Sequence, residues 1–571
     1  MNILYKNKKL ERLLICTNLA VTTLVIGTAL LQLGFYRQIL SDTQIYSILI
    51  AAAIFFTAEK FIRFFNARSK KDFIRFCWFE FVFIALFVIL YFSAGILWAL
   101  GGYLLLQIIT KVCRTMVDLA ASGKSPALTF VGSFIIIILA GSILLMLPRS
   151  YKTEPINFVD ALFSATSATC VTGLTVRDIG TDFSVVGQTV ILVLIQLGGL
   201  GIVIFGAVFS LLFGQALNVR QSVAMQDLLS TQTVSKISHI IAFIFVAVFA
   251  IEGVGALFLY NMWDAYTPLA GHIQSKWFCS VFHSVSAFCN SGLGLFSDSF
   301  IKYNFDWRVY GVICPLIILG GLGFGVLENF YDIFKTKIKN LLGANYNRPV
   351  KIELQTKIVL LVTAMLIVSG MFGLLIIHNN TDKNHINLAD AFFQSVTART
   401  AGFNTIDINA LSAPAKMILI ILMLIGGSPG GTAGGIKTVT LAIIIMAVYA
   451  TIRKRTEVEI FKRSIPLAIV GKALVVTSLF TLALFSATFL LTITERHNNF
   501  DFINIMFEAA SALGTVGLSC GITPALTTAG KIIIIITMFI GRLGPLTLLA
   551  VLTFNIKPVR YNYPMESVVV G

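Results

Sequence analysis

Charge is what this chain has least of. Only 12% of its 571 residues are Asp, Glu, Lys or Arg. A soluble globular domain carries about 25%, so the chain cannot build an ordinary water-facing surface and belongs in a membrane. Histidine is also scarce, with six residues that fall mostly in loops. A polytopic membrane enzyme would cluster His, Asp or Ser on adjacent spans, and that class is disfavoured. The eight cysteines occur singly, without metal-binding spacing. Cys170 and Cys289 are expected to be small apolar packing residues. No ATP site and no phosphorylated-Asp motif is visible, which disfavours an ATP-driven pump.

Apolar residues are abundant, at 57% of the chain. Mean hydropathy is +0.87. Residues 13–33, 237–260, 358–377 and 532–554 are apolar runs, each near or above the roughly 20 residues that cross a bilayer. The first run follows Lys6, Lys8, Lys9 and Arg12. It is too long for a signal peptide and no small-residue cleavage site follows, so it reads as an uncleaved span. The net charge of +16 gathers in loops at 60–75, 335–357 and 453–463. The positive-inside rule puts these loops in the cytoplasm and the regions around 163–173, 282–292, 393–402 and 507–517 on the external side.

Those four regions share one pattern: Phe163-x3-Ser167-Ala, Phe282-x3-Ser286-Ala, Phe393-x3-Thr397-Ala and Phe507-x3-Ser511-Ala. Each runs into a glycine followed by Leu or Phe. These glycines are Gly173, Gly292, Gly402 and Gly517, spaced 119, 110 and 115 positions apart. A second marker follows each at near-constant distance: Gly198-Gly-Leu-Gly201, Gly320-Gly-Leu-Gly323, Gly426-Gly-Ser-Pro429 and Gly541-Arg-Leu-Gly544. One such Gly-rich stretch means only a close helix–helix contact. Two markers in phase four times mean one unit used four times. The expected fold is all-α and membrane-integral, with four helix–pore loop–helix repeats around a central pore. The repeats are expected at 125–236, 237–357, 358–467 and 468–571. Residues 1–124 are expected to form an N-terminal transmembrane extension, with spans near 13–34 and 43–58 and, within 77–110, either one long helix or a hairpin, which the basic flanks Arg75, Lys111 and Arg114 favour.

Four such units can set four glycines at one level, as a cation filter requires. Carbonyls replace the ion's water when several point inward together. Aiming consecutive carbonyls one way needs φ values that glycine adopts freely. The expected filter comprises Cys170, Val171, Thr172 and Gly173; Cys289, Asn290, Ser291 and Gly292; Thr400, Ala401 and Gly402; and Gly514, Thr515, Val516 and Gly517. No ring of Asp or Glu occurs there, so a monovalent cation, K+, is the expected cargo. Each preceding pore helix points its partly negative C-terminal end at the ion.

The third copy has one residue fewer before its glycine and carries Arg399. A cation facing the filter is costly, so Arg399 is expected to point sideways. Glu508 on the fourth pore helix is its candidate partner. Two unrelated interfacial charges remain the alternative.

Gly426, Gly427, Ser428, Pro429, Gly430, Gly431, Gly434 and Gly435 lie inside the third repeat's second helix. Six Gly and a Pro cannot hold a helix. A flexible loop at membrane depth is expected, placed to gate the pore; a kinked packing helix is the alternative. A phosphate-binding loop is disfavoured, because Gly435-Ile-Lys437-Thr438 separates Gly from Lys. Arg542 would repel cations near the gate or anchor the loop through its carbonyls, and otherwise snorkel at the membrane edge. Lys437 belongs to the gate or snorkels likewise.

Val171-Thr-Gly-Leu, Cys289-Asn-Ser-Gly-Leu, Arg399-Thr-Ala-Gly-Phe and Thr515-Val-Gly-Leu resemble the Trk/Ktr/HKT superfamily of potassium transporters, closest to the bacterial Trk and Ktr membrane subunits. The resemblance covers about residues 125–571. It implies K+ transport, in some members Na+, in a bacterial inner membrane. It implies a homodimer with one pore per subunit and a cytosolic nucleotide-binding gating subunit as partner. It implies a gating loop at 426–438 and a functional Arg542. Glycine at position 173 goes with K+ selectivity in that family, and serine with Na+ permeation. The apolar tail Val568-Val-Val-Gly571 would pack near the subunit interface.

Overall fold

The computed structural model describes residues 6–36, 40–71, 99–104, 126–152, 154–201, 237–263, 275–341, 351–381 and 385–544, together with 87, 106 and 107. Most of the hairpin expected within 77–110, the boundary at 124/125 and the tail at 568–571 lie outside the described residues.

The described chain is helical apart from turns and one two-stranded hairpin. It opens with α1 (Lys8–Gly34) and α2 (Asp42–Asn66). A Ser41–Gln44 capping box starts α2. The two helices are clasped at one end. Arg63 reaches Glu11 at 3.4 Å and Glu59 at 3.0 Å, and the Asn7 amide donates to Asn66 Oδ1 at 2.9 Å. This concentration of polar groups closes a hairpin whose shafts, exposing Leu13, Leu19, Leu24 and Ile54, suit lipid.

A three-part sequence then recurs. The outer helices are α3 (Pro126–Leu145), α6 (Ile237–Leu259), α10 (Leu354–Thr381) and α14 (Leu467–Thr494). The short helices are α4 (Phe158–Thr169), α7 (Lys276–Phe288), α11 (Leu388–Thr397) and α15 (Phe502–Gly514). The inner helices are α5 (Val185–Leu200), α8 (Cys314–Leu322) with its continuation α9 (Phe324–Leu341), α12 (Ala413–Leu424) with α13 (Thr438–Ile452), and α16 (Thr528–Leu543). Strands β1 (Val458–Ile460) and β2 (Arg463–Ile465) pair antiparallel in the third basic loop. The repeat boundary expected at 357/358 falls one turn inside α10. The break in regular structure there is at 351–353.

Among the described residues five helices are long and apolar enough to cross a membrane, or six if the bent pair α8–α9 counts as one span. The helix that runs from Val309 to Leu322 and its continuation α9 meet at 103°. The bend lies at Gly323 (φ 87), and Gly201 (φ 79) and Gly544 (φ 80) end their helices the same way. A left-handed residue stops a helix, and glycine takes that conformation without strain. The last glycine of the marker is therefore a helix stop, which its spacing alone did not reveal. The first glycine of the marker serves packing. A methyl group added to Gly198, Gly320 or Gly541 would collide with the carbonyl oxygen of Thr169, Phe288 or Leu513, at the end of a short helix.

The motif phenylalanines Phe163, Phe282, Phe393 and Phe507 are all fully buried. Lipid tails are as apolar as these rings, so tight packing rather than water exclusion holds them. Truncating one to Ala would cost about 3–5 kcal/mol if the site cannot collapse. They root each short helix in the core and so fix the position of the segment beyond its C-terminal end.

Candidate functional site

The four strands beyond the short helices adopt one conformation. Val171 (φ 56), Asn290 (φ 58), Thr400 (φ 80) and Thr515 (φ 51) are all left-handed, although none is glycine. Two residues later come Gly173 (φ 98), Gly292 (φ 67), Gly402 (φ 85) and Gly517 (φ 95). The residue between keeps an ordinary φ. Left-handed backbone costs a non-glycine residue of order 1–3 kcal/mol, and such strain collects at functional sites.

The strands close into a ring in chain order. A methyl group on Gly173 would meet the Ser291 carbonyl oxygen, one on Gly292 that of Ala401, one on Gly402 that of Val516, and one on Gly517 that of Thr172. The same methyl groups would stand 3.0 Å from Gly517 Cα, 2.7 Å from Gly402 Cα, 3.1 Å from Gly292 Cα and 2.8 Å from Gly173 Cα, respectively. The four glycines thus share one level, with no room for a side chain.

The motif Ser or Thr explains how each strand is held. Ser167 Oγ and Ser511 Oγ accept from the Gly173 and Gly517 amides, both at 3.1 Å. Ser286 Oγ and Thr397 Oγ1 donate to the Leu293 and Phe403 carbonyls, both at 2.7 Å. The same four residues accept through their backbone carbonyls from Thr172, Ser291, Ala401 and Val516 amides at 2.8–2.9 Å. In the shortened third copy both Ala401 and Gly402 amides reach Thr397, at 2.8 and 3.4 Å, which absorbs the missing residue. Their place in the motif marked these residues; their role as strand anchors was not legible.

Most of the strands' amides are used, among them those of Gly173, Gly402 and Gly517 of the four ring glycines, and the carbonyls facing the ring are not. The carbonyls of Thr172, Gly173, Ser291, Gly292, Ala401, Gly402, Val516 and Gly517 accept no hydrogen bond among the described residues. The hydroxyls of Thr172, Ser291, Thr400 and Thr515 are buried and have no hydrogen-bond partner among the described residues. Buried acceptors without donors are rare and costly. A ring of them is a ready cation site, and no carboxylate belongs to it.

Arg399 and Glu508 do not pair, against the expectation that one braces the other. Arg399 is buried and its Nη2 donates to the Gly426 carbonyl at 3.2 Å. Glu508 accepts from the Cys520 amide at 3.0 Å, from Thr523 Oγ1 at 2.9 Å and from Ser519 Oγ. Three local donors satisfy it within its own copy, and the guanidinium turns instead to a carbonyl that no helix uses.

That carbonyl opens the glycine-rich segment, which is non-helical from Ile425 to Lys437. Its ends meet in a parallel bridge between Ile425 and Ile436. It is laid across the second copy's helix break: Ser428 and Thr432 amides donate to Gly321 and Gly320 carbonyls at 2.9 and 3.2 Å, and Phe324 donates to Gly430 at 3.0 Å. Thr432 Oγ1 donates to the Phe288 carbonyl and accepts from Asn290 Nδ2, each at 3.2 Å. Gly434 is pressed against Thr515 Oγ1. The loop therefore touches two strands of the ring.

Three cations hold this loop by its carbonyls. Arg399 takes Gly426, and Lys437 Nζ folds back to Ala433 at 2.6 Å instead of snorkelling to the surface. Arg542 spans the gap: Nη1 donates to Thr432, and Nη2 to Gly198 and, at 3.4 Å, to Gly199. Arg542 stands where the other markers have Gly199, Gly321 and Gly427, so one side chain ties the fourth copy to the loop and to the first copy. A cavity of about 510 Å³ is lined by Asp407, Asp501, Asn404 and Ser519, close in sequence to the ends of the third and fourth strands. Two carboxylates there favour cations.

A family model described as TrkH, cation transport protein, matches residues 109–559. The chain belongs to the TrkH cation transport family. The match takes in all four glycine strands, the loop and Arg542, and stops short of α1 and α2. Curated relatives include Ktr system potassium uptake protein B of Bacillus subtilis (strain 168), 41% identical over 74% of this chain and 91% of its own. The protein of the same description from Vibrio alginolyticus is 36% identical over 79% and 96%. Potassium/sodium uptake protein NtpJ of Enterococcus hirae is 36% identical over 78% and 97%. The crystal structure of the potassium transporter TrkH from Vibrio parahaemolyticus superposes with a TM-score of 0.57, covering 95% of this chain and 98% of that one at 16% identity. It shares the TrkH fold.

Proposed function

We propose that this chain is the ion-translocating subunit of a K+ uptake system. K+ sheds its water in the ring at Gly173, Gly292, Gly402 and Gly517 and passes under control of the loop at 425–437. The observation that carries this reading is the set of eight carbonyls around the ring with no donor among the described residues. The K+ uptake named for two relatives at 36–41% identity supports it. The chain is a transporter and not an enzyme. Its basic loops lie in the cytoplasm, where a nucleotide-binding gating subunit docks, and the chain works as a homodimer in a bacterial inner membrane with the ring nearer the external side.

A mixed K+/Na+ pathway is the second reading, favoured by the potassium/sodium uptake protein at 36% identity. Ion flux into liposomes holding the purified chain, under K+ and under Na+ gradients, separates the two. Flux with K+ and little with Na+ supports the first reading; equal flux supports the second; none under either gradient, with or without a gating subunit, contradicts both.

A further inference from the structure

Polar side chains cross every seam between neighbouring copies, and three of the four crossings use the same two positions. The first partner stands ten residues before a marker glycine on the inner helix: Tyr310, Lys416 and Lys531. The second stands three residues before the motif phenylalanine on the next short helix: Asp390, Asn504 and Asp160. Tyr310 Oη lies 2.9 Å from Asp390 Oδ1. Lys416 Nζ donates to Asn504 Oδ1 at 3.1 Å. Lys531 Nζ donates to Asp160 Oδ1 at 2.7 Å, closing the fourth copy onto the first.

These groups are set for the purpose. Tyr310 sits in a π-helical turn, Val309–Ile313, a distortion that often marks functional sites. Thr405 Oγ1 donates to the same Asp390 oxygen at 2.7 Å. Asp160, Asp390 and Lys416 are all buried.

The seam between the first and second copies is crossed elsewhere. Gln196 Nε2 of α5 donates to Glu252 Oε2 of α6 at 3.2 Å. Glu252 Oε1 lies 3.8 Å from Cys289 Sγ, next to the second strand of the ring. Glu252 stands three residues before Gly255; the first and third outer helices have Ile138 and Ile367 three residues before Gly141 and Gly370. A buried acid there is costly and has to serve a purpose.

We infer that Tyr310, Lys416, Lys531 and Gln196 are positioning residues that set the diameter of the glycine ring, and through it the choice of K+ over Na+. This rests on the reading of that ring as the ion filter. The ring consists of four separate backbone segments, so its diameter depends on how far apart the short helices stand. Lipid gives no hydrophobic drive to hold them together. Directional bonds from each inner helix to the next copy supply that fixed spacing. K+ and Na+ differ in radius by a fraction of an ångström, so a loosened seam alters their ranking before it alters folding.

The test is the K+/Na+ permeability ratio of the full chain in liposomes. The variants are Tyr310→Phe, Lys531→Met and Lys531→Arg, with Gly173→Ser as filter reference. Tyr310→Phe removes one oxygen and keeps the ring packed, so it is least able to unfold the chain; thermal stability of each variant is read alongside. The ratio is expected to fall by at least about threefold in Tyr310→Phe and Lys531→Met, as loss of one hydrogen bond implies. K+ flux should persist, and Lys531→Arg should keep the wild-type ratio. An unchanged ratio in both, with Gly173→Ser lowered, overturns the inference and leaves the filter reading standing. An unchanged ratio in all, Gly173→Ser included, overturns the filter reading itself. A fall in Lys531→Met without one in Tyr310→Phe assigns the effect to charge and also overturns it.

Discussion

Arg542 is a guanidinium in a position where three copies keep glycine. Its charge and its geometry make different predictions. As a bare charge it raises the barrier to K+ by repulsion in a place with little water to screen it. As a fork it holds Thr432 and the Gly198–Gly199 turn at once. A lysine keeps the charge and loses the fork. We expect Arg542→Ala to raise K+ flux several-fold and Arg542→Lys to raise it nearly as much, measured as 86Rb+ or K+ uptake into liposomes. Wild-type flux in Arg542→Lys would assign the role to charge, and wild-type flux in both would make the residue a topology anchor. The presence of Arg542 in the marker, and loop carbonyls as one expected set of partners, were legible in the sequence; the choice of Thr432 and the second hold on Gly198 and Gly199 of the first copy were not, because individual backbone carbonyls carry no sequence signal. The same limit explains Arg399. Glu508 was its candidate partner because intramembrane ionisable groups are usually paired, yet Glu508 is satisfied by Ser519, Cys520 and Thr523.

The glycine-rich loop between α12 and α13 is the element most clearly written in the composition, since six glycines and a proline exclude a helix. What composition could not convey is that the loop is bonded on every side. It leans on Gly320 and Gly321 and hangs from three cations. Such a loop is tied down and not a slack linker, which supports reading it as a closed gate. Removing residues 430–435 takes away the Gly430 carbonyl that Phe324 uses and the Thr432 carbonyl that Arg542 uses. Flux should rise several-fold with the protein still folded. A folded but non-conducting deletion would make the loop structural. The breaks at Gly201, Gly323 and Gly544 went unread for the opposite reason: Gly-Gly-Leu-Gly in an apolar run is equally compatible with close packing, and the same motif serves both ends here.

At the scale of the whole molecule, the fourfold phase of two glycine markers made the fold legible, because a recurrence over 110–119 positions has no local explanation. The left-handed residues two places before each ring glycine were not legible, since Val171, Asn290, Thr400 and Thr515 share no side-chain type. We propose a homodimer with two independent pores; cross-linking and mass measurement in detergent and in membranes check it, and a fully regulated monomer contradicts it. The central claim is that the glycine ring selects the ion. A side chain at Gly173 must push against Ser291 and takes a φ of 98 that L-residues avoid. The most direct measurement is therefore the K+/Na+ flux ratio of wild type and Gly173→Ser in the same liposomes. The ratio is predicted to fall about tenfold, a loss of roughly 1.4 kcal/mol of discrimination. An unchanged ratio in a folded, conducting Gly173→Ser protein would contradict the ring as the site of selection.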